Sequence, residues 1–121
     1  MQIAQKNFYK KLLGRVGEKR AVDFLKKNGF KILKTNYKTI VGEIDIIAEE
    51  KGVIVFIEVK TRSNDNYGNP CEAVDKRKQE KYYKTATYYL QKEKKTDFEC
   101  RFDVIEIENG EINHIFNAFG V

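Results

Sequence analysis

Histidine, cysteine and proline are scarce in this chain of 121 residues. The single histidine, His114, falls on a predicted peripheral strand without a cysteine or second histidine nearby, so we expect a surface position rather than a metal-binding role. Cys71 and Cys100 are the two cysteines, and without an export signal we expect thiols rather than a disulfide. Cys71 precedes a helical pattern, where a thiol can be activated. Because no partner histidine is near it in the sequence, we expect a small packed residue rather than a reactive thiol. The single proline, Pro70, suits the first turn of a helix.

Long hydrophobic runs are also missing. No apolar stretch approaches the roughly 20 residues that cross a bilayer, and the first residues contain no signal-peptide core. We therefore expect a cytoplasmic protein without membrane contact. The length allows one domain over residues 1–121 and is too short for two ordinary ones.

Charge is unevenly distributed along the chain, although the net value is only +5. Residues 1–40 carry eleven Lys or Arg against two acids, and residues 76–95 carry eight against two. Residues 41–75 carry three against eight acids, and residues 96–121 carry one against six. Basic segments attract polyanions and an acidic centre can hold a metal ion, although lysine-rich helices can also be simply solvated faces.

Hydrophobic periodicity predicts a mixed α/β fold in the order α-β-β-β-α-β-β, with a central sheet flanked by helices. Spacings of three and four indicate helices over residues 6–28 and 72–92, and Gly14 and Gly17 suggest that the first begins properly near Arg15. Alternating patterns predict strands over residues 30–37, 98–107 and 112–116, and Asn109-Gly110 predicts a hairpin between the last two.

Residues 42–62 contain the pattern that most clearly indicates a functional site. Two apolar strands flank the polar turn of residues 49–52, and a symmetric hairpin pairs Ala48 with Val53. Asp45 then stands opposite Phe56, as a diagonal neighbour of Glu58 on one face, with Cβ atoms about 7 Å apart. A slip of one residue would send Asp45 to the other face, so the inference depends on register.

These residues predict a site for a hard divalent cation. Asp45 and Glu58 supply carboxylate oxygens, the Val59 carbonyl can supply another, and Mg²⁺ prefers such ligands. Lys60 shares the face of Glu58 and can orient a water or stabilise phosphate charge. Glu18 lies near the apolar stripe of the first helix and can reach the metal, or can instead pair with Arg15 or Lys19 at the surface.

With Asp45 followed by Glu58-Val59-Lys60, the chain resembles the PD-(D/E)XK nuclease superfamily. More closely, it resembles the YraN-like family of predicted endonucleases, relatives of archaeal Holliday-junction resolvases. The matching segments are Gly17-Glu18, Asn28-Gly29-Phe30, Asn36-Tyr37, residues 42–45, residues 56–62, residues 73–75 with Lys78-Gln79, and residues 86–90.

The resemblance implies a restriction-endonuclease-like fold and a metal site of Glu18, Asp45, Glu58 and Lys60. It also implies that Lys78 and Gln79 lie beside the site and contact phosphate. Arg62 and Arg77 are further candidates for nucleic-acid binding, because they lie next to these motifs. Resolvase relatives act as homodimers, but no exposed apolar seam in the sequence predicts a dimer.

Three functions follow from this sequence. The first is a Mg²⁺- or Mn²⁺-dependent endonuclease acting on DNA, with branched DNA as one candidate substrate. The second is a nucleic-acid-binding module that has the nuclease fold without efficient catalysis. The third is a protein-interaction domain in which the carboxylates form structural salt bridges with Lys60 and Arg62. The complete set of four site residues favours the first over the third and separates it only weakly from the second.

Overall fold

Helices and strands follow one another along the chain in the predicted order. The computed structural model describes residues 2–62 and 75–120, with side chains described over residues 11–62 and 75–120. Within those ranges it contains two helices and five strands, namely α1 (Gln2–Lys27), β1 (Lys31–Lys38), β2 (Glu43–Glu50), β3 (Val53–Arg62), α2 (Lys76–Lys92), β4 (Glu99–Glu108) and β5 (Glu111–Ile115). Among the described residues, no helix is long and apolar enough to span a membrane.

The five strands form one mixed sheet in the order β1-β2-β3-β4-β5. Neighbouring strands are antiparallel except β3 and β4, which run parallel because α2 carries the chain back across the sheet. One hydrophobic cluster lies between the sheet and α1, and the other lies between the sheet and α2. The central strand β3 is therefore covered on both faces, as its continuous apolar run predicts.

The predicted register of the β2–β3 hairpin is wrong by two residues. Ala48 pairs with Val55 rather than Val53, and the turn consists of Lys51 and Gly52 alone. Both turn residues have positive φ, 51° and 82°, which is the geometry of a tight two-residue hairpin. Because side chains alternate with a period of two, an even shift does not by itself move a residue to the other face.

Both helix starts differ from the prediction. α1 begins at Gln2 and runs without interruption through Gly14 and Gly17, so the expected start near Arg15 is wrong. α2 begins at Lys76, where the Asp75 carboxylate caps the helix by accepting a hydrogen bond from the Lys78 amide. The predicted helical residues 72–74, the predicted role of Pro70 and the predicted thiol of Cys71 lie outside the described residues.

His114 is not a surface residue, contrary to the prediction from its peripheral strand. Its side chain is only 5% exposed, and Nε2 lies 2.8 Å from Oδ2 of Asp103. The rings of Phe24, Phe30 and Phe116 contact the imidazole and cover it. Strand position alone could not predict this burial, because the covering rings come mainly from α1 and the segment after it. Cys100 is a half-buried free thiol, as predicted.

Candidate active site

Asp45 lies at a point where the alternation of faces along β2 is interrupted. Ile44 belongs to the core under α2, whereas Ile46 belongs to the core under α1, although two residues of a regular strand should share a face. On β1, Asn36 stands between the residues that pair with Ile44 and Ile46, and it has a φ of 52°. Asn tolerates this left-handed conformation better than most residues. The local twist leaves the Asp45 carboxylate at the edge between the two faces.

The Asp45 carboxylate is fixed by the backbone of β3. Its Oδ2 accepts a hydrogen bond of 2.8 Å from the Val59 amide, just beyond the last paired residues, Ile46 and Ile57. One further step in that register brings Asp45 opposite Glu58. Burial, with the charges of Glu58, Glu18 and Glu43, raises the pKa of Asp45 to about 7, although the Val59 hydrogen bond acts in the opposite direction.

Glu58 is a buried carboxylate that contacts two lysines. It is only 5% exposed, and its Oε2 lies 2.9 Å from Lys60 Nζ and 2.6 Å from Lys78 Nζ. Burial alone lowers the pKa of Lys78, but its contacts with Glu58 and the charge of Asp45 raise the pKa above the ordinary lysine value. The two ammonium groups therefore compensate a buried negative charge that is costly alone.

Two clefts meet at Asp45. The first, which we call the α2-side cleft, is lined by Gly42, Glu43, Asp45, Glu58, Asp75, Arg77, Lys78, Lys81 and Tyr82. The second, the α1-side cleft, is lined by Lys11, Gly14, Arg15, Glu18, Asn36, Lys38, Glu43 and Asp45. Each cleft combines carboxylates with at least three basic side chains, so each offers both metal-ligand oxygens and phosphate-binding cations.

Glu18 reaches the site from α1 because the helix packs very closely against β3. Gly17 is buried, and a Cβ atom on it would lie 2.1 Å from Oγ1 of Thr61. Only a glycine permits this approach without a shift, and the next residue, Glu18, then lines the α1-side cleft beside Asp45. Its half-buried position differs from the alternative of a purely exposed pair with Arg15 or Lys19.

The oxygen ligands of this site suit a hard divalent cation. Asp45 and Glu58 offer carboxylate oxygens in one cleft, and burial together with the charge of Glu58 raises the pKa of Asp45. Glu18 approaches from the other cleft. In the described part of the chain, no three His, Cys, Asp or Glu side chains are arranged to hold one ion together. Asp45 and Glu58 could hold a cation directly, with water or backbone oxygen completing its shell and Glu18 as a further candidate ligand.

The predicted nucleic-acid residues divide between different surfaces. Lys78 and Arg77 line the α2-side cleft, and Gln79 follows them in α2 as a half-buried side chain. Arg62 instead lines a separate groove with Gly17, Arg20 and Thr61. Four cleft lysines and arginines, Lys11, Arg15, Lys38 and Lys81, were not singled out from the sequence. Their only signal was the excess of positive charge in residues 1–40 and 76–95.

Comparison with known proteins gives one consistent result. Residues 17–107 match the model of a family described as "Uncharacterised protein family UPF0102". A UPF0102 protein of Caldanaerobacter subterraneus subsp. tengcongensis is 48% identical over 121 residues, which covers 94% of this chain and 99% of the relative. A UPF0102 protein of Thermodesulfovibrio yellowstonii is 50% identical over 107 residues, covering 88% of this chain and 95% of the relative. The chain therefore belongs to UPF0102, the YraN-like family.

Proposed function

We propose that this protein is a Mg²⁺- or Mn²⁺-dependent endonuclease that hydrolyses phosphodiester bonds in DNA. The observation that carries the proposal is the convergence of Asp45, Glu58 and Lys60 at the end of two neighbouring strands. In this proposal Asp45 and Glu58 hold the cation and Lys60 assists the attacking water. The resemblance to PD-(D/E)XK nucleases supports the same assignment, with a restriction-endonuclease-like fold as part of the proposal.

The cation would be held by Asp45 and Glu58, with Glu18 and the Val59 carbonyl as further candidates. When bound, a Mg²⁺ or Mn²⁺ ion supplies Lewis acidity toward a phosphoryl oxygen and lowers the pKa of a coordinated water. Asp45 gains most from a bound cation, because burial and neighbouring acids favour its protonated form without one.

The lysines of the site have separate roles in this proposal. Lys60 extends from the same strand as Glu58 and holds its ammonium 2.9 Å from the Glu58 carboxylate, where it can orient water and stabilise charge on phosphate. Lys78 is carried by the first turn of α2, beside Arg77 and Lys81. These α2 residues provide the positive surface that binds a polyanionic backbone.

A nucleic-acid-binding module without catalysis is the second candidate function. It is favoured by the two ammonium contacts of Glu58, because a carboxylate that two lysines neutralise competes poorly as a metal ligand. The choice depends on whether a cation displaces one lysine. Metal binding and hydrolysis must therefore be measured separately.

Hydrolysis is tested with single-stranded, duplex and four-way DNA, each incubated with Mg²⁺ or Mn²⁺. We expect Glu58→Gln and Lys60→Ala to lower the cleavage rate by at least about a hundredfold, because the first removes a proposed metal ligand and the second removes the ammonium that orients water and stabilises charge on phosphate. Glu111→Gln and Lys31→Ala are matched controls, because both residues are exposed and lie outside the two clefts.

The controls should retain the wild-type rate. Equal activity in wild type, Glu58→Gln and Lys60→Ala would assign any hydrolysis to a contaminant or another site. DNA binding with a steep salt dependence, together with no hydrolysis in any metal, would favour the binding module instead.

A further inference from the structure

The turn between β1 and β2 exposes two aliphatic side chains beside the candidate active site. Ile40 is fully exposed, at 108% of its reference area, and Val41 is 43% exposed. The turn immediately precedes β2, so it lies at the same end of the sheet as Asp45. We call Ile40 and Val41 the aliphatic tip.

The aliphatic tip is held by hydrogen bonds and packing. The Thr39 hydroxyl accepts hydrogen bonds from the amides of Val41 and Gly42, and the Thr39 amide donates to the Gly42 carbonyl at 2.8 Å. Gly42 lies against α2, since a Cβ atom there would be 3.1 Å from Oγ1 of Thr85. The tip therefore has a defined position relative to the carboxylates.

Basic side chains lie on both sides of the tip, together with the carboxylates of the candidate site. Lys38, just before the turn, lines the α1-side cleft, while Gly42, just after it, lines the α2-side cleft with Arg77 and Lys81. The turn thus stands between the two clefts. A partner that fits must offer anions to both clefts and an apolar surface between them. Nucleic acid meets both needs, because its phosphates are anionic and the faces of its stacked bases are apolar.

We propose that the aliphatic tip is a wedge that inserts into one base step of a nucleic acid bound across the two clefts. The inference rests on the proposed function, because nucleic acid is taken as the ligand of those clefts. Aliphatic side chains inserted between base steps partly unstack them and bend the duplex. Such a wedge favours steps that are already weak, such as a mismatch or a nick, over fully paired duplex.

The experiment places the fluorescent base 2-aminopurine at a mismatch in a short DNA duplex and measures its emission on protein binding in EDTA. Unstacking raises this emission, and we expect a clear rise with wild type. Ile40→Ser should abolish the rise and weaken binding to the mismatched duplex by roughly tenfold, while Ile40→Leu should retain most of both. Phe98→Ser is the control, because Phe98 is also exposed, at 39%, but precedes β4 at the opposite end of the sheet.

The outcomes separate the wedge from the proposed function. An equal emission rise in wild type and Ile40→Ser, with normal Glu58-dependent cleavage, overturns the wedge alone. Absence of DNA binding by wild type at low salt overturns both. A loss of self-association in Ile40→Ser, without change in emission, would make the tip a contact between protein copies and overturns the wedge.

Discussion

The carboxylate of Glu58 is buried and that of Asp45 is half-buried, and neighbouring ammonium groups and hydrogen bonds offset the cost of that burial only in part. Glu58 contacts two ammonium groups, whereas Asp45 has one backbone hydrogen bond and three acids that act on its pKa. Residues held in such unfavourable states are typical of functional sites, where a ligand supplies the missing compensation.

Asp45 makes the stability of the fold depend on pH. Its pKa is raised from 3.8 to about 7, so the folded protein retains a proton that the unfolded chain loses near pH 4. The stabilising contribution is full below the unfolded pKa and is lost as the pH rises through the folded pKa. We expect Asp45→Asn to raise the free energy of unfolding by about 1 to 3 kcal/mol at pH 8 and by roughly a third as much at pH 5, because the unfolded chain has already lost the proton there while the folded protein keeps it.

Urea denaturation at the two pH values measures this difference. The Asn amide oxygen can still accept the Val59 hydrogen bond, so the substitution removes charge with little loss of geometry. Asp97→Asn, at an exposed position, controls for the change in net charge. Equal destabilisation by Asp45→Asn at both pH values would contradict the raised pKa.

In the proposed metal site, Lys78 would compete with the cation for Glu58. Its Nζ lies 2.6 Å from Oε2, so Lys78→Ala removes the closer of the two ammonium groups. We expect the affinity for Mn²⁺, measured by calorimetry, to rise roughly threefold to tenfold because a repulsive charge is lost. DNA affinity should fall in the same variant, because one phosphate-binding cation is missing.

Lys84→Ala is the matched control, since Lys84 is an exposed lysine of the same helix outside the α2-side cleft. It should leave Mn²⁺ affinity unchanged. A fall in Mn²⁺ affinity in Lys78→Ala would mean that Lys78 positions Glu58 rather than competing with the cation.

At the level of elements, the contact between α1 and β3 determines where Glu18 lies. Glycine inside a helix costs about 1 kcal/mol relative to alanine, so Gly17 needs a reason beyond propensity. The reason is the space between the helix and Thr61, which no Cβ atom fits without movement.

Gly17→Ala should therefore destabilise the protein, with overpacking of about 1 to 3 kcal/mol that exceeds the gain in helix propensity. Gly14→Ala on the same helix should be neutral or stabilising, because nothing lies within 4 Å of its would-be Cβ atom. Thr61→Ala should largely rescue Gly17→Ala, because it removes the Oγ1 atom that would clash.

Chemical denaturation of the two single variants, Thr61→Ala and the double variant completes a double-mutant cycle. Additive effects of Gly17→Ala and Thr61→Ala would show that the helix packs elsewhere on the sheet.

For the whole molecule, a second charged cluster lies away from the candidate site. Arg101 contacts Glu50 at 3.1 Å and Asp103 at 3.0 Å, and the Asn117 amide donates to Asp103 at 2.8 Å. Glu50 adjoins the β2–β3 turn, whereas Asp45 and Glu58 lie toward the opposite ends of these strands. This cluster joins β2, β4 and the segment after β5, so it stabilises the sheet as a unit.

Asp103 is the centre of that cluster, and its loss should affect stability rather than DNA chemistry. Burial alone raises the pKa of Asp103, but hydrogen bonds from His114, Arg101 and the Asn117 amide outweigh it and lower the pKa below the ordinary value. Its stabilising contribution is present above the unfolded pKa and is lost as the pH falls through the folded pKa.

We expect Asp103→Asn to cost about 2 to 4 kcal/mol at pH 7, because it leaves buried donors without their charged acceptor. Thermal and urea denaturation measure this cost, and Glu108→Gln at the exposed end of the same strand is the control. A stable Asp103→Asn variant with altered DNA binding would mean that this cluster takes part in the functional surface and is not required for stability.

The sequence by itself determined the order of elements, the mixed sheet and the faces of the central strand β3. These features are local: hydrophobic periods of two and near four, and turns such as Asn109-Gly110, depend on neighbouring residues alone. The prediction that Asp45 and Glu58 are neighbours remained correct despite a register error of two residues, because the corrected register moves Asp45 from a diagonal position to one opposite Glu58.

Only the tertiary structure decided which distant groups meet. Lys78 of α2 contacts Glu58 of β3, α1 packs closely against β3 at Gly17, and His114 is buried against Asp103 of β4. Each of these contacts joins residues from separate elements. No periodicity encodes such contacts, because they depend on how closely helices pack on the sheet. The same packing decided that Asp45 stands between two clefts lined by both acidic and basic side chains, a position no pattern within β2 indicates.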